Sequence, residues 1–218
     1  SSFMKIAIID YDIGNVQSIL NAFENQGVCA FLTREKNEIL DADGVILPGV
    51  GAFSHGMGCL KKYNLIDTIK EYVKTNKPFM GICLGMQMLF EESEEFGTTL
   101  GLGLISGKVI KLPIQRSKFE KLPHVSWNEL SNKNIRWDGT ILNEIEESSD
   151  MYFVHSFVAT PKDERNILST TEYSGYEFCS SVKKDNIYGC QFHPEKSGKI
   201  GLKIIDNFVK ICKEKNYE

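Results

Sequence analysis

The stretch of sequence that decides the fold is KPFMGICLGMQ, residues 77–87. Its apolar part, residues 78–82, has the composition of a buried strand, and residues 86–91 have that of a helix. Between them lies the pattern Gly-x-Cys-x-Gly, centred on Cys83. This pattern is typical of a nucleophile elbow, a sharp strand-to-helix turn that holds a reactive side chain at the top of a sheet. The sequence therefore predicts that Cys83 lies at such a turn.

Cys83 has the surroundings that a nucleophilic thiol needs. Side chains at Gly81 and Gly85 would crowd the backbone of the turn, which explains the glycine at both positions. A thiol at a helix N-terminus faces unpaired N–H groups and the positive end of the helix dipole, and both favour the thiolate. The pattern alone leaves a second interpretation open, in which Cys83 is a structural cysteine buried after a strand.

A second pattern, near the C-terminus, favours the catalytic interpretation. An apolar strand runs into His193, which is followed by Pro194 and Glu195. Histidine is the usual general base beside a cysteine nucleophile, and a carboxylate orients its imidazole. Pro194 restricts the backbone between the two side chains and is expected to keep the segment from continuing as a helix. The sequence therefore predicts a triad of Cys83, His193 and Glu195.

Strands and helices alternate through the first half of the chain. The predicted elements are strands at residues 5–10, 28–32, 44–47 and 78–82, and helices at residues 15–26 and 65–75. This alternation indicates a parallel sheet wrapped by helices, in which ligands bind at the carboxyl ends of the strands. Residues 48–51, which read PGVG, and Cys83 both follow strands and are expected to share that edge.

The second half of the chain is mostly strands. They are predicted at residues 109–112, 151–159, 168–172, 176–183 and 186–192. The apolar spacing in residues 199–213 then predicts a final helix. The expected fold is α/β, with a parallel or mixed central sheet flanked by helices and an added antiparallel strand group. We expect residues 4–218 to form one domain, with Met4 as the native start and residues 1–3 as a remnant of cloning.

Charge and hydropathy exclude several classes of partner. The chain has 218 residues, a formal net charge of −4 and no basic patch, so we expect no nucleic-acid partner. No apolar stretch is long enough to cross a membrane, and the N-terminus lacks a signal-peptide pattern, so we expect no membrane association. The acidic run EESEE at residues 91–95 is typical of a solvated helix end.

The cysteines indicate a reducing compartment. Six are present, none is in a C-x-x-C pair, and none has a histidine at zinc-binding spacing. A disulfide framework is not expected in a chain of this length without a signal peptide. We therefore expect a cytoplasmic protein with reduced thiols, no metal site and no cofactor.

Five segments resemble the class I, or triad, glutamine amidotransferases, whose fold is flavodoxin-like. They are IDYDIGN at residues 9–15, LPGVGAF at 47–53, GICLGMQ at 81–87, YFVHSF at 152–157 and QFHPEKSG at 191–198. The cysteine elbow and His-Pro-Glu specify the class, and the likeness covers nearly the whole chain from Met4. Within the class, the sequence is most similar to the glutaminase subunits of imidazole glycerol phosphate synthase.

The resemblance implies a role for each site residue. In this class a cysteine attacks the side-chain amide of L-glutamine and releases ammonia, and water then releases glutamate from the thioester. Cys83 would be the nucleophile, His193 the acid and base, and Glu195 the group that orients the imidazole. The residues implied in oxyanion stabilisation and substrate binding are Gly49, Val50, Gly51, Leu84, Gln87, Ser156 and Phe157.

The resemblance also implies a partner. Such subunits form a heterodimer with a (β/α)8-barrel synthase, the cyclase subunit, which receives the ammonia through a protected path. The product of that partner is imidazole glycerol phosphate with AICAR, in histidine biosynthesis. The residues that match family positions at the junction are Trp127, Asn128, Tyr152 and Lys196. From the residues alone, Trp127 and Tyr152 could equally be core aromatics.

Two departures from the family pattern leave alternatives open. Residues 123–128 read PHVSWN where the histidine-pathway subunit commonly has Pro-His-Met-Gly-Trp-Asn, and Phe157 replaces a frequent tyrosine. One alternative is a paralogous glutaminase that supplies ammonia to a sugar-modifying amidotransferase in surface polysaccharide biosynthesis. Independently of these departures, the same elbow leaves open a cysteine peptidase or γ-glutamyl hydrolase, and the same fold leaves open a non-catalytic interaction subunit.

Overall fold

A computed structural model describes residues 3–14, 16–114, 122–133 and 135–217, and its first half alternates strands with helices. The elements up to the elbow are β1 Lys5–Ile9, α1 Gln17–Glu24, β2 Cys29–Thr33, α2 Lys36–Asp41, β3 Gly44–Leu47, α3 Phe53–Lys62, α4 Leu65–Lys74 and β4 Phe79–Ile82. Asn15, at the start of the predicted helix 15–26, lies outside the described residues.

The second half is mostly strands, followed by one long helix. Its elements are α5 Leu84–Gln87, β5 Phe90–Ser93, β6 Thr99–Leu100, β7 Ile105–Lys111, β8 His124–Glu129, β9 Asp150–His155, β10 Phe157–Pro161, β11 Ile167–Tyr173, β12 Tyr176–Lys184, β13 Ile187–Cys190 and α6 Gly198–Tyr217. Two short 3-10 turns lie at Glu164–Asn166 and Pro194–Lys196.

Eleven strands of the described residues form one sheet. Their order is β2-β1-β3-β4-β13-β12-β10-β7-β5-β6, with β11 paired to β12 outside this path. The strands from β2 to β13 in this order are parallel, and antiparallel pairing begins between β13 and β12. Strands β8 and β9 form a separate antiparallel pair. The predicted fold class, a mixed central sheet with helices and added antiparallel strands, is confirmed. The extent of a single domain stays a prediction.

Neighbouring residues of β1 enter two different apolar cores. Ile6 and Ile8 pack with α1 and α6 on one face of the sheet, whereas Ala7 and Ile9 pack with α2, α3 and α4 on the other. All four residues of β3 and of β4 are buried, as expected of parallel strands that helices cover on both faces. Because Leu47 pairs with Gly81, the segments that follow β3 and β4 begin side by side at one edge.

The segment after the elbow differs from the prediction. The helix is α5, a single turn at Leu84–Gln87, rather than residues 86–91. Strand β5 begins at Phe90, which is buried and pairs with Ile105 of β7. The prediction of a solvated helix end at residues 91–95 is therefore wrong, because the buried side chain of Phe90 draws this segment into the sheet.

The predicted strand 151–159 is two strands that separate at Ser156. Strand β9 pairs with β8, and β10 pairs with β7, so the chain passes between the two sheets at this residue. Strand β8 and helices α2 and α3 were not predicted. Helix α3 contains Gly56 and Gly58, and glycine lowers helix propensity. Gly56 has a packing reason, because a Cβ there would lie 2.9 Å from the sulfur of Met88.

Candidate active site

The turn between β4 and α5 is a strained elbow. Cys83 has φ 56° and ψ −111°, a conformation that a residue with a side chain rarely adopts. A Cβ at Gly81 would lie 2.5 Å from the carbonyl oxygen of Gly85, and one at Gly85 would lie 1.9 Å from that of Leu47. The backbone therefore closes around Cys83 only because both flanking positions are glycine.

Strand β13 brings the histidine to this elbow. It lies parallel to β4, with Cys190 opposite Ile82, so the two chains leave the sheet side by side. The N–H of Cys83 donates to the carbonyl oxygen of Cys190 at 2.7 Å, which ties the two segments together. His193 and Glu195 follow within a few residues on the β13 side.

His193 and Glu195 form a buried pair. Nδ1 of His193 lies 3.0 Å from Oε2 of Glu195, and the two side chains are 5% and 3% exposed. Pro194 starts the 3-10 turn Pro194–Lys196, so it begins a helical turn here and does not merely stop one. The turn is held by Ser197, whose hydroxyl donates to the carbonyl oxygen of His193 at 2.6 Å. The imidazole is therefore fixed at one nitrogen by the carboxylate.

The environment of His193 favours the imidazolium. Burial lowers the pKa of His193, but the Cys83 sulfur and the Glu195 carboxylate outweigh it and raise the pKa to about 10. Nε2 of His193 is buried and has no hydrogen-bond partner within the described parts of the chain. That nitrogen is free to exchange a proton with a reacting group, while Nδ1 stays on Glu195.

A cavity of about 290 Å³ opens above the thiol. It brings together most residues that the resemblance implies in substrate binding. Those that line it with Cys83 are Val50, Gly51, Leu84, Gln87, Ser156 and Phe157. Gly49, His193 and Glu195 line a smaller space on the other side of the segment PGVG, together with Lys196. The elbow thus lies between a substrate-sized pocket and the His-Glu pair.

The segment PGVG adopts a conformation that blocks one expected donor. The N–H of Leu84 donates to the carbonyl oxygen of Gly49 at 3.1 Å. Because the peptide is planar and trans, the N–H of Val50 points the opposite way. Tyr11 contributes to this arrangement, since its buried hydroxyl donates to the carbonyl oxygen of Pro48. Gly49 has φ 155°, and a Cβ on it would lie 2.1 Å from that hydroxyl oxygen.

Three of the four predicted junction residues lie on β8 and β9. Trp127 pairs with Tyr152 across the two strands, and their ring centroids are 5.9 Å apart. The side chain of Trp127 is 52% exposed, so it is not a core residue. Oδ1 of Asn128 lies 2.6 Å from Nε2 of the buried His124. Lys196 is exposed at the end of the turn Pro194–Lys196.

Tyr152 joins this region to the triad through its backbone. Its N–H donates to the hydroxyl of Ser197 at 3.0 Å, and its carbonyl oxygen accepts from the N–H of His193 at 3.1 Å. A movement of β9 would therefore be transmitted directly to the backbone of His193.

Sequence reasoning missed two polar residues of the site. Glu95 lines the cavity as its one carboxylate among the described residues, and it accepts from the N–H of Phe53 at 2.8 Å. Gln191 is fully buried, and its Nε2 lies 3.8 Å from Sγ of Cys83. A buried amide within an otherwise apolar strand was the available signal for Gln191. The sequence held no comparable signal for Glu95, which was assigned to a solvated helix end.

The family match agrees with this geometry. A model of the class I glutamine amidotransferase family matches residues 7–212. The chain is a class I glutamine amidotransferase. The predicted resemblance to this class is confirmed, and the chain is an enzyme of that class.

Curated relatives of this amidotransferase are similar over nearly their whole length. Imidazole glycerol phosphate synthase subunit HisH 1 of Legionella pneumophila (strain Lens) is 45% identical over 211 residues, which cover 95% of this chain and 99% of that relative. Subunit HisH of Sulfurimonas denitrificans is 46% identical over 208 residues, with 94% and 97% covered.

Solved structures show the same fold. PurLQS from Thermotoga maritima aligns with a TM-score of 0.71 at 21% identity, covering 96% of this amidotransferase and 99% of that chain. The glutaminase domain of Trypanosoma brucei CTPS, with bound acivicin, aligns with a TM-score of 0.67 at 17% identity, covering 99% and 96%. At such identities these likenesses concern the fold alone. No helix of the described residues is both long and apolar enough to cross a membrane.

Proposed function

We propose that this chain is the glutaminase subunit of an imidazole glycerol phosphate synthase, and that Cys83, His193 and Glu195 perform the hydrolysis. The observation that carries the chemistry is the buried pair of His193 and Glu195, 3.0 Å apart, beside the strained elbow of Cys83. The names of the relatives, HisH subunits at 45% and 46% identity, support the pathway.

The reaction proceeds in two halves on these groups. The Cys83 thiolate attacks the side-chain amide carbon of L-glutamine, and the tetrahedral intermediate carries an oxyanion. His193 donates a proton from Nε2 to the departing nitrogen, so the C–N bond breaks, ammonia leaves and a thioester remains. His193 then takes a proton from water, the hydroxide attacks the thioester, and the C–S bond breaks to release glutamate. Glu195 keeps the imidazole oriented and stabilises its positive charge throughout.

The oxyanion requires a change in the segment PGVG. The N–H of Leu84 is occupied by the carbonyl of Gly49 in this structure, so it is not available to the oxyanion. Turning the Gly49–Val50 peptide would free that N–H and bring the N–H of Val50 to the same side. A donor of this kind contributes about 2.7–4 kcal/mol to the transition state. The conformation described here is therefore a resting state of low glutaminase activity.

The cavity offers groups for both ends of the substrate's amino-acid portion. The carboxylate of Glu95 suits the α-ammonium group of glutamine, and the backbone at Ser156 and Phe157 lies at the same cavity. Gln87 also lines it, but its Nε2 already donates to the carbonyl oxygen of Phe157 and to Oε1 of Gln191. Contact of Gln87 with the substrate would therefore be made through its Oε1.

The released ammonia passes to a (β/α)8-barrel cyclase subunit, which docks on the face formed by Trp127, Asn128, Tyr152 and Lys196. The exposed indole of Trp127 and the exposed Lys196 are of the types that serve protein interfaces as anchor and charge partner. Docking there acts on β9, where Val154 lines the same cavity as Val50, and on the turn after His193, which lines the smaller space beside Gly49. A heterodimer with this barrel would thus couple the release of ammonia to its use by the cyclase subunit.

A substrate panel tests the proposal. The chain, mixed with a purified cyclase subunit and its acceptor, should release glutamate from L-glutamine and leave γ-glutamyl peptides and ordinary peptides intact. Cys83→Ala should abolish this release and leave the thermal unfolding midpoint nearly unchanged. If a sugar-modifying synthase activated the chain and the cyclase did not, the chain would be assigned to polysaccharide biosynthesis. Glutamine hydrolysis by Cys83→Ala at the wild-type rate would overturn the triad.

A further inference from the structure

Gln191 lies fully buried beside the nucleophile. Because β13 runs parallel to β4 with Cys190 opposite Ile82, the next residues along the two chains are Gln191 and Cys83. Nε2 of Gln191 is 3.8 Å from Sγ of Cys83, and its Oε1 is 3.1 Å from Nε2 of Gln87. Its side chain thus connects the sulfur to a second buried amide.

The direction of the Gln191 amide follows from one backbone carbonyl. The carbonyl oxygen of Phe157 can only accept hydrogen bonds, so Gln87 must turn its nitrogen towards it, at 3.2 Å. His155 donates to the same oxygen through Nδ1 at 3.0 Å, which fixes that acceptor from a second side. Since the Gln87 nitrogen also faces Gln191, only the oxygen of Gln191 can meet it. The N–H groups of Gln191 are therefore turned to the sulfur.

The thiolate needs such a donor. Helix α5 has only four residues, and the N–H of Leu84 at its start is taken by the carbonyl oxygen of Gly49. The helix therefore gives Cys83 less stabilisation than the sequence indicates. Apart from His193, whose pKa the sulfur helps to raise, the other polar neighbour of Sγ among the described residues is the carbonyl oxygen of Val154, at 3.7 Å, which accepts from a thiol and offers nothing to a thiolate. A buried anion without donors is costly, and a hydrogen bond to an anion is stronger than one to a neutral group.

We propose that Gln191 is a further catalytic residue, whose side-chain amide donates to the Cys83 sulfur and favours the thiolate over the thiol. This role rests on the proposed function of Cys83 as nucleophile. Gln191 neither takes up nor releases a proton. When the thioester is hydrolysed, the C–S bond breaks and the sulfur leaves as a thiolate, so the same donor assists the second half of the reaction.

The test measures the thiolate directly, without glutamine. Iodoacetamide alkylates a thiolate, forming a C–S bond as iodide leaves, and mass spectrometry follows Cys83 and the exposed Cys29 in the same sample. In Gln191→Met and Gln191→Leu, which keep an apolar side chain of similar size, Cys83 should react about tenfold more slowly at pH 7. Tenfold corresponds to about 1.4 kcal/mol, close to the lower limit for a hydrogen bond to a charged group. The difference should vanish at pH values where every thiol is ionised.

Cys29 should react at the same rate in all variants. Gln26→Met, a matched change two residues after the end of α1, should leave the alkylation rate of Cys83 unaffected. Circular dichroism checks that each variant is folded. Wild-type alkylation of Cys83 in a folded Gln191→Met or Gln191→Leu protein would overturn the proposal. That result differs from a failure of the proposed function, which would appear as glutamine hydrolysis by Cys83→Ala.

Discussion

The main-chain N–H of Leu84 donates to the carbonyl oxygen of Gly49 at 3.1 Å, so a donor beside Cys83 is occupied by the protein itself. The relationship joins two segments distant in sequence, the end of β3 and the start of α5, through the pairing of Leu47 with Gly81. Under the proposed mechanism, a site arranged in this way holds an oriented His-Glu pair together with an incomplete oxyanion site. Glutaminase activity would then be regulated by rotation of the Gly49–Val50 peptide.

Gly49→Ala tests whether that peptide must turn. A Cβ would lie 2.1 Å from the Tyr11 hydroxyl oxygen and 3.3 Å from Cβ of Leu84, and φ at this position is 155°. We expect glutaminase activity with the partner to fall by a factor of about 100, as for loss of one oxyanion donor. Adding Tyr11→Phe removes the nearest clash and should recover stability, measured by urea unfolding, while activity stays low. Full activity of Gly49→Ala would show that the segment need not move.

The two members of the His-Glu pair should differ in importance. His193→Ala removes the group proposed to move protons at the sulfur, so kcat should fall by several orders of magnitude. Glu195→Gln keeps the shape of the turn and removes a charge that orients and stabilises the imidazolium, so its loss should be smaller. Steady-state rates of glutamate release with saturating partner check both. Wild-type kcat in Glu195→Gln would mean that another carboxylate orients the histidine.

The proposed triad could be predicted from the sequence because its parts are local. Gly81, Cys83 and Gly85 form one turn, and His193 and Glu195 are two residues apart, so spacing alone indicates their roles. The thiol contact of Gln191 depends on the register between β13 and β4, which lies outside any local pattern.

The place of Glu95 in the cavity and the break between two strands at Ser156 were missed for related reasons. Glu95 reaches the cavity because Phe90 draws an acidic segment into the sheet. Ser156 marks the passage from β9 to β10, two strands with different partners that look continuous in sequence. Both features follow from tertiary packing that overrides local composition.

Acid should destabilise the protein through His155. Burial lowers the pKa of His155 to about 3, below its ordinary value of 6.5. Between these values the unfolded chain binds a proton at this residue that the folded chain does not, so the stability that His155 contributes is fully present above pH 6.5 and is lost as pH drops towards 3. The slope approaches about 1.4 kcal/mol per pH unit for one proton. Burial lowers the pKa of His124 as well, which adds in the same direction.

Urea unfolding at pH 6.5, 5.5 and 4.5 measures this slope. His155→Gln retains a donor for the carbonyl oxygen of Phe157 and removes the titrating group, so the free energy of unfolding should depend less steeply on pH. Equal slopes for wild type and His155→Gln would mean that His155 binds its proton equally in both states.

Lys196 is expected to report on the partner face. It is exposed and directly follows Glu195, so Lys196→Ala should reduce activation by the barrel several-fold while the alkylation rate of Cys83 stays near wild type. Lys199→Ala, a matched change at the start of α6, should alter neither. If Lys199→Ala reduced activation by the barrel as much as Lys196→Ala does, Lys196 would have no specific role at the partner face.

The most direct measurement of the whole account is glutamate release by the isolated chain and by the chain bound to the barrel synthase with its acceptor. If the segment PGVG rests in the conformation described here, the isolated chain should hydrolyse glutamine slowly. The rate should rise by several orders of magnitude when the barrel synthase and its acceptor are bound. To shift the ratio of active to resting conformations of PGVG from 1:99 to 99:1, the partner must bind the active conformation more tightly by about 5.5 kcal/mol, which a protein interface can supply. Hydrolysis by the isolated chain at the full rate, unaltered by the barrel and its acceptor, would contradict the account.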